Sequence, residues 1–143
     1  YNTVESGEGT LRKIELPTVQ HVIKGGVRSV MTSFNVVGSV PTVAHAPLLR
    51  DVLRSELGFE GIVISDFGSV GELIKHGYAR DAAQATSQAL EGTVDIEMQS
   101  RNYHENIKRL VEDGLLDESV IDEAVRRIVI KKYELGLFAN PYR

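Results

Sequence analysis

The sequence predicts an α/β fold of about three parallel strands joined by crossover helices. Two observations carry this. Three short Val- and Ile-rich runs are apolar at consecutive rather than alternate positions, as in strands buried on both faces, and amphipathic helical segments fill the intervals between them. A helical stretch precedes the first run, Val27 to Phe34. Leu48, Leu49, Val52, Leu53 and Leu57 then recur at helical spacing, with Pro47 suited to the first turn and Gly58 supplying a stop. The second run is Gly61 to Asp66. After a helix starting near Ser69, Asp81 and Gln84 form a capping box for an alanine-rich helix that ends at about Glu91, with Gly92 behind it. The third run is Thr93 to Met98; Asp117 then caps a longer helix with Ile121, Val125, Ile128 and Val129 on its face and a stop at Gly136. Asn140-Pro141 beyond that stop reads as a domain boundary. This order suits half of a (β/α)8 barrel or part of a doubly wound sheet, and periodicity does not separate the two.

Composition narrows the function classes. The 143 residues carry a formal net charge of -4 with basic residues dispersed among acidic ones, which excludes the basic footprint of a nucleic-acid binder. Without cysteine the chain has neither disulfides nor thiolate metal sites. No apolar run approaches the roughly 18 residues of a membrane helix, so no membrane insertion is expected. The opening residues Tyr1-Asn2-Thr3-Val4-Glu5 have no export-signal pattern and no initiator Met precedes them, so the chain is expected to be an internal piece of a longer protein.

Chemistry in parallel α/β folds gathers at the C-terminal ends of the strands. Here those ends read Met31-Thr32-Ser33-Phe34-Asn35, Ile64-Ser65-Asp66-Phe67-Gly68-Ser69 and Asp95-Ile96-Glu97-Met98-Gln99-Ser100. Asp66, an acid where an apolar strand emerges, flanked by Phe67 and two small residues, is placed either as a carboxylate nucleophile or as the cap of the helix near Ser69. Met31 and Phe34 read as strand-end core filler. Gly68-Ser69-Val70-Gly71 at a helix start could hold a phosphate through backbone N–H groups, as in a phosphate-binding α/β barrel, but lacks the glycine fingerprint of nucleotide binders. His45 and His76 are candidates for proton transfer in principle, although His76 before Gly77 suits a helix C-terminus; His21 and His104 have no second ligand at metal spacing. No metal or organic cofactor is implied.

The ordered stretch Val40-Pro41-Thr42-Val43-Ala44-His45-Ala46-Pro47-Leu48-Leu49-Arg50-Asp51-Val52-Leu53-Arg54, followed by Leu57-Gly58-Phe59-Glu60-Gly61-Ile62-Val63-Ile64-Ser65-Asp66-Phe67-Gly68, resembles glycoside hydrolase family 3. In that family a leucine-rich helix leads into a Gly-Phe-x-Gly strand ending in Ser-Asp and an aromatic residue. The likeness extends from Tyr1-Asn2-Thr3-Val4 to Gly136-Leu137-Phe138-Ala139-Asn140-Pro141-Tyr142 and is nearest in kind to the bacterial periplasmic β-glucosidases. It implies that residues 1–143 are the C-terminal part of an N-terminal (β/α)8 barrel domain. It also implies that Asp66 is the nucleophile of a retaining β-glucosidase, and that Met31 and Phe34 line the sugar subsite, with Phe67 as an aromatic wall. Phe34 stands where Tyr is frequent, Phe67 where Trp is frequent, and Glu72 where some plant members have Arg. Ser-Asp-Phe, in place of the Ser-Asp-Asp of the β-N-acetylglucosaminidase branch, leaves a glucosidase ahead of a xylosidase. The acid/base Glu is implied to lie in a following domain, and a Lys-His pair and further sugar-gripping acids in earlier strands. The expected partners are therefore a β-glucoside or oligosaccharide substrate, the remaining barrel strands and a C-terminal domain, in a periplasmic or secreted protein. The isolated chain is expected to be inactive and, with open strand edges, to associate or fold only in part. A non-catalytic carbohydrate-binding relative is the alternative. Asp95 and Glu97 at the third strand are open between structural and substrate-contacting roles.

Overall fold

The computed structural model describes residues 3–4 and 7–142; Tyr1, Asn2 and Glu5, which entered the reading of the N-terminal stretch, lie outside the described residues. The chain runs β1 (Thr3–Val4), α1 (Glu8–Thr10), a wide-turn helical segment Leu11–Glu15, α2 (Leu16–Lys24), β2 (Ser29–Met31), β3 (Val36–Val37) and β4 (Val40–Pro41). A short 3-10 turn, Thr42–Ala44, and a wide-turn helix, Pro47–Glu56, lead to β5 (Ile62–Ile64); α3 (Ser69–Lys75), α4 (Ala82–Glu91), α5 (Asn102–Glu112) and α6 (Glu118–Glu134) complete it.

All three strand-like runs meet side by side, each shorter than the sequence predicts. β2 pairs in parallel with β5, Ser29 opposite Ile62 through Met31 opposite Ile64. The third run contributes a parallel bridge at Ile96, opposite Ile64. Its ladder is completed by Ile96 N–H to Val63 O at 3.2 Å and Ser65 N–H to Ile96 O at 2.9 Å. Crossover helices separate the three runs, as parallel pairing requires.

The sheet has two unlike faces. Side chains alternate across a strand, so Val63, fully buried, points opposite to Ile64. On the Val63 side lies the core, with Val43, Leu49, Leu53, Phe59, Val70, Leu73, Ala85, Ala89 and Val94. On the other side the row Met31, Ile64 and Ile96 stays partly or largely uncovered, Met31 being 54% exposed.

The Gly-Phe-x-Gly sequence before β5 has a packing cause. Gly58 adopts φ +69° to end the wide-turn helix, which Leu57 N–H closes on Val52 O at 2.9 Å. Phe59 is buried, and a Cβ on Gly61 would lie 2.4 Å from its ring and 2.5 Å from Arg28 O, so only glycine fits there. The leucine-rich face forms as predicted, with Leu49 and Leu53 buried and Leu48, Val52 and Leu57 half-buried.

Capping follows the sequence. Asp81 Oδ1 accepts the Gln84 N–H at 2.8 Å, while Gln84 reaches back to the Arg80 N–H at 2.9 Å; Asp117 Oδ1 accepts the Ser119 N–H at 2.8 Å. The helix α6 face differs from the predicted one. Ala124 is its buried residue, Ile121 and Ile128 are half-buried, and Val125 and Val129 are 50% and 44% exposed. Rotation of the helix is set by Arg127, which reaches inward to Asp95. A small sheet, β1 parallel to β3 and β3 antiparallel to β4, was not predicted. Its hairpin turn, Gly38 at φ 55° and Ser39 at φ 69°, fits a Gly-Ser signal between Val36-Val37 and Val40-Pro41.

Asp95 ties these layers together. Its side chain is fully buried and receives Arg54 Nη2 at 2.7 Å, Arg127 Nε at 2.8 Å and the Val63 N–H at 2.8 Å. Arg54 also donates to Gly61 O at 2.9 Å and Thr93 O at 3.0 Å, joining the wide-turn helix to both strand entrances. Asp95→Ala leaves two guanidinium groups poorly paired and is expected to cost about 3–5 kcal/mol, read as a lower urea midpoint. Adding Arg54→Met to it should cost less than the sum of the two single changes, and strict additivity would show that the two groups are not coupled.

Candidate active site

Asp66 is held at the C-terminal end of β5 by its neighbours on the third strand. Ser65, fully buried, accepts the Met98 N–H on its Oγ at 2.8 Å and donates to Asp66 O at 3.1 Å. The Gly68 N–H reaches Met98 O at 2.9 Å, and the Ser69 N–H reaches Asp66 O at 3.1 Å. The half-buried Asp66 carboxylate accepts the Phe67 N–H on Oδ1 at 2.7 Å. Asp66 lies two residues beyond Ile64, just past the end of β5.

The cap reading of Asp66 is not what forms. Gly68, at φ 70°, is the N-cap of α3, and among the described residues no side-chain cap bond is made there. Both nearby glycines have structural causes. Gly68 supplies the left-handed turn, and a Cβ on Gly71 would stand 3.4 Å from Ser100 Cβ and Asn102 Nδ2.

The predicted aromatic and methionine residues occupy the neighbouring strand ends. Phe67 follows Asp66 and is 60% exposed; Met31 lies opposite Ile64; Phe34 is half-buried in the loop after β2. Exposed Met and Phe at adjoining strand ends are suited to the apolar faces of a sugar ring.

Glu97 and Asp95 resolve to structural work. Glu97 Oε1 accepts from the Asn102 N–H and Asn102 Nδ2, each at 3.0 Å, and from Ser100 Oγ, while Oε2 accepts the Tyr103 N–H at 2.8 Å. A carboxylate from outside the helix thus satisfies the first amides of α5 and complements its dipole. Beneath it the buried Tyr103 hydroxyl donates to Val94 O at 2.8 Å, and burial pushes its pKa well up. Ser65, quoted within the Ser-Asp motif but given no role on sequence grounds, proves to be the link between the second and third strands. A lone small polar residue inside Val63-Ile64-Ser65 was the available signal.

Fold and site define a parallel α/β chain with a carboxylate just past a strand's C-terminal end and a partly exposed apolar sheet face. The chain belongs to glycosyl hydrolase family 3: residues 1–130 match the model of that family's N terminal domain. It is 37% identical over 142 residues to the periplasmic beta-glucosidase of Salmonella typhimurium, covering 99% of this chain and 19% of that protein. It is 35% identical over 146 residues to a beta-xylosidase of Formosa agariphila, covering 94% of this chain and 20% of that protein. The crystal structure of a beta-glucosidase from Listeria innocua in complex with glucose superposes with a TM-score of 0.97 at 44% identity, covering 99% of this chain and 20% of that one. The chain thus spans about a fifth of the length of these relatives.

Three of the four histidines make local contacts. His21 Nδ1 lies 2.6 Å from Pro17 O, one turn earlier, and His76 is the C-cap of α3 with its ring 3.5 Å from Glu72. His45 Nδ1 accepts the Leu48 N–H at 3.1 Å at the start of the wide-turn helix, a bond that requires the neutral ring. Burial lowers the His45 pKa from its ordinary value. A folded-state pKa below the unfolded value of about 6.5 means that the unfolded chain binds the extra proton first. The His45 contribution is therefore fully present above that value and is lost as pH falls through the folded one. His45→Asn, which keeps an acceptor without the titration, is expected to reduce the loss of thermal stability between neutral and mildly acidic pH. An unchanged pH dependence would remove His45 from that role.

Proposed function

We propose that this chain is the nucleophile-bearing, C-terminal part of a (β/α)8 barrel domain in a retaining β-glucosidase, with Asp66 as the nucleophile. The observation that carries the reading is the Asp66 carboxylate just past a strand end, backbone fixed by Ser65, Gly68 and Ser69, next to an apolar sheet face on which Met31 is 54% exposed and Ile64 and Ile96 are half-buried. An uncovered inner face and two open strand edges are what a partial barrel presents. The proposal adds the remaining strands and a C-terminal domain as partners, and names of relatives five times as long support it.

In a retaining mechanism two carboxyl groups about 5–5.5 Å apart flank the glycosidic bond. Asp66 attacks the anomeric carbon as an acid from outside this chain protonates the leaving oxygen. The glycosyl-Asp66 ester that forms is cleaved when that same residue, now a base, activates water. Met31, Phe34 and Phe67 border the sugar. Terminal β-D-glucosyl residues are the proposed substrate, following the glucosidase relatives and the glucose complex of the Listeria enzyme. The xylosidase relative supports a second reading, the same reaction on β-xylosides. A carbohydrate-binding protein without catalysis is disfavoured, because a binding face gains little from an acid held at this strand end. The Salmonella relative's name supports a periplasmic setting, within the periplasmic or secreted range the sequence suggests.

Incubating the complete enzyme with a 2-deoxy-2-fluoro-glucoside bearing a good leaving group tests this. The fluorine slows breakdown of the covalent intermediate more than its formation. Intact-mass analysis is expected to find one added sugar, and peptide mapping to locate it on Asp66; a label on another carboxylate would reject the assignment.

A further inference from the structure

We infer that Ser65 is a positioning residue for Asp66, a part of the reaction machinery that acts by fixing the nucleophile's backbone rather than by touching substrate. The inference rests on the proposed role of Asp66 as nucleophile. Its observations are the burial of Ser65 and the use of its hydroxyl in both directions. The oxygen accepts the Met98 N–H at 2.8 Å, and its proton goes to Asp66 O at 3.1 Å. A hydroxyl has one proton to give, so this geometry spends its donor on the nucleophile's own carbonyl.

Three features make the link specific to Asp66. The Ser65 N–H is the last ladder bond between the second and third strands, to Ile96 O at 2.9 Å, so beyond it the regular sheet no longer defines where Asp66 stands. The Ser65 hydroxyl and the Gly68 N–H then both attach this turn to Met98, through its N–H and its carbonyl. Asp66 O is shared between Ser65 Oγ and the Ser69 N–H, which fixes the peptide following Asp66; that peptide's own N–H, on Phe67, holds Asp66 Oδ1 at 2.7 Å. The order of control therefore runs from Ser65 to the Asp66–Phe67 peptide to the carboxylate. With Oδ1 engaged by Phe67, Oδ2 is the oxygen that points the attack. Near-attack geometry tolerates little error, since a displacement of about 1 Å costs on the order of 10²-fold in rate.

The test compares wild-type enzyme, Ser65→Ala, the near-isosteric Ser65→Cys, and Leu110→Ala, a buried change in α5 within a separate core cluster with Leu90 and Leu116. The readouts are the rate constant of covalent labelling by saturating 2-deoxy-2-fluoro-glucosyl fluoride, the affinity for glucose, and the thermal midpoint. Both Ser65 variants are expected to label about 10- to 100-fold more slowly, with glucose affinity within about threefold of wild type, whereas Leu110→Ala loses thermal stability and labels at the wild-type rate. Should Ser65→Ala fail to fold, the same comparison is made on Ser65→Cys. Wild-type labelling rates in the Ser65 variants, or an equal slowing in Leu110→Ala, would overturn the inference while leaving Asp66 as nucleophile. Labelling of wild type at a residue other than Asp66 would overturn both.

Discussion

Everything that positions the site depends on one buried charge. Asp95 replaces what would be an ordinary ladder bond, its carboxylate taking the Val63 N–H, and holds Arg54 from the wide-turn helix and Arg127 from α6 at the same time. Burial pulls the Arg54 pKa down and the Asp95 charge opposes that pull, while a guanidinium keeps its proton in any case. Such a cluster contributes less net stability than its Coulomb energy suggests, because desolvation offsets much of the attraction. What it does supply is register. Val63 cannot slide past the third strand without breaking a charge-assisted bond, and Ser65 and Asp66 follow Val63 in fixed sequence.

The two faces of the sheet divide stability from function. The Val63 side is closed by helices and holds the core, so it makes the segment cohere. The Met31, Ile64 and Ile96 side is apolar yet only partly covered, and Asp66 follows just past the end of its central strand. An apolar sheet face left to water is costly, which accounts for the proposal that neighbouring strands close it. On that proposal the segment supplies the attacking group, and the pocket, like the acid/base, forms only when the rest of the enzyme surrounds it.

Much of this was legible in the sequence because the relevant physics is local. Consecutive apolar residues located the three parallel runs; Asp81, Asp117 and Gly58 marked helix ends; and the glycines of Gly-Phe-x-Gly had causes in turn geometry and ring packing. Less legible were features set by distant contacts. Nothing near Asp95 in sequence reveals that Arg54 and Arg127 converge on it, so it read as an open choice between structure and substrate. The α6 face was misread in Val125 and Val129 for the same reason, since the inward reach of Arg127 outweighs the apolar pattern. Glu97, placed five and six residues before the amides it caps, lies outside the spacing of an ordinary capping box. Asp66 was singled out by its place at a strand end; of its two sequence readings the helix cap does not form, because Gly68 is the N-cap of α3, and the nucleophile reading is the one proposed.

The most direct test of the central claim removes the carboxylate and replaces it from solution. Asp66→Gly in the complete enzyme should lose on the order of 10⁴-fold or more in kcat, and added azide should restore turnover of a substrate with a good leaving group, giving a glycosyl azide of inverted, α configuration. Near wild-type hydrolysis by Asp66→Gly without azide, with the product β-anomer still formed first, would contradict Asp66 as the nucleophile.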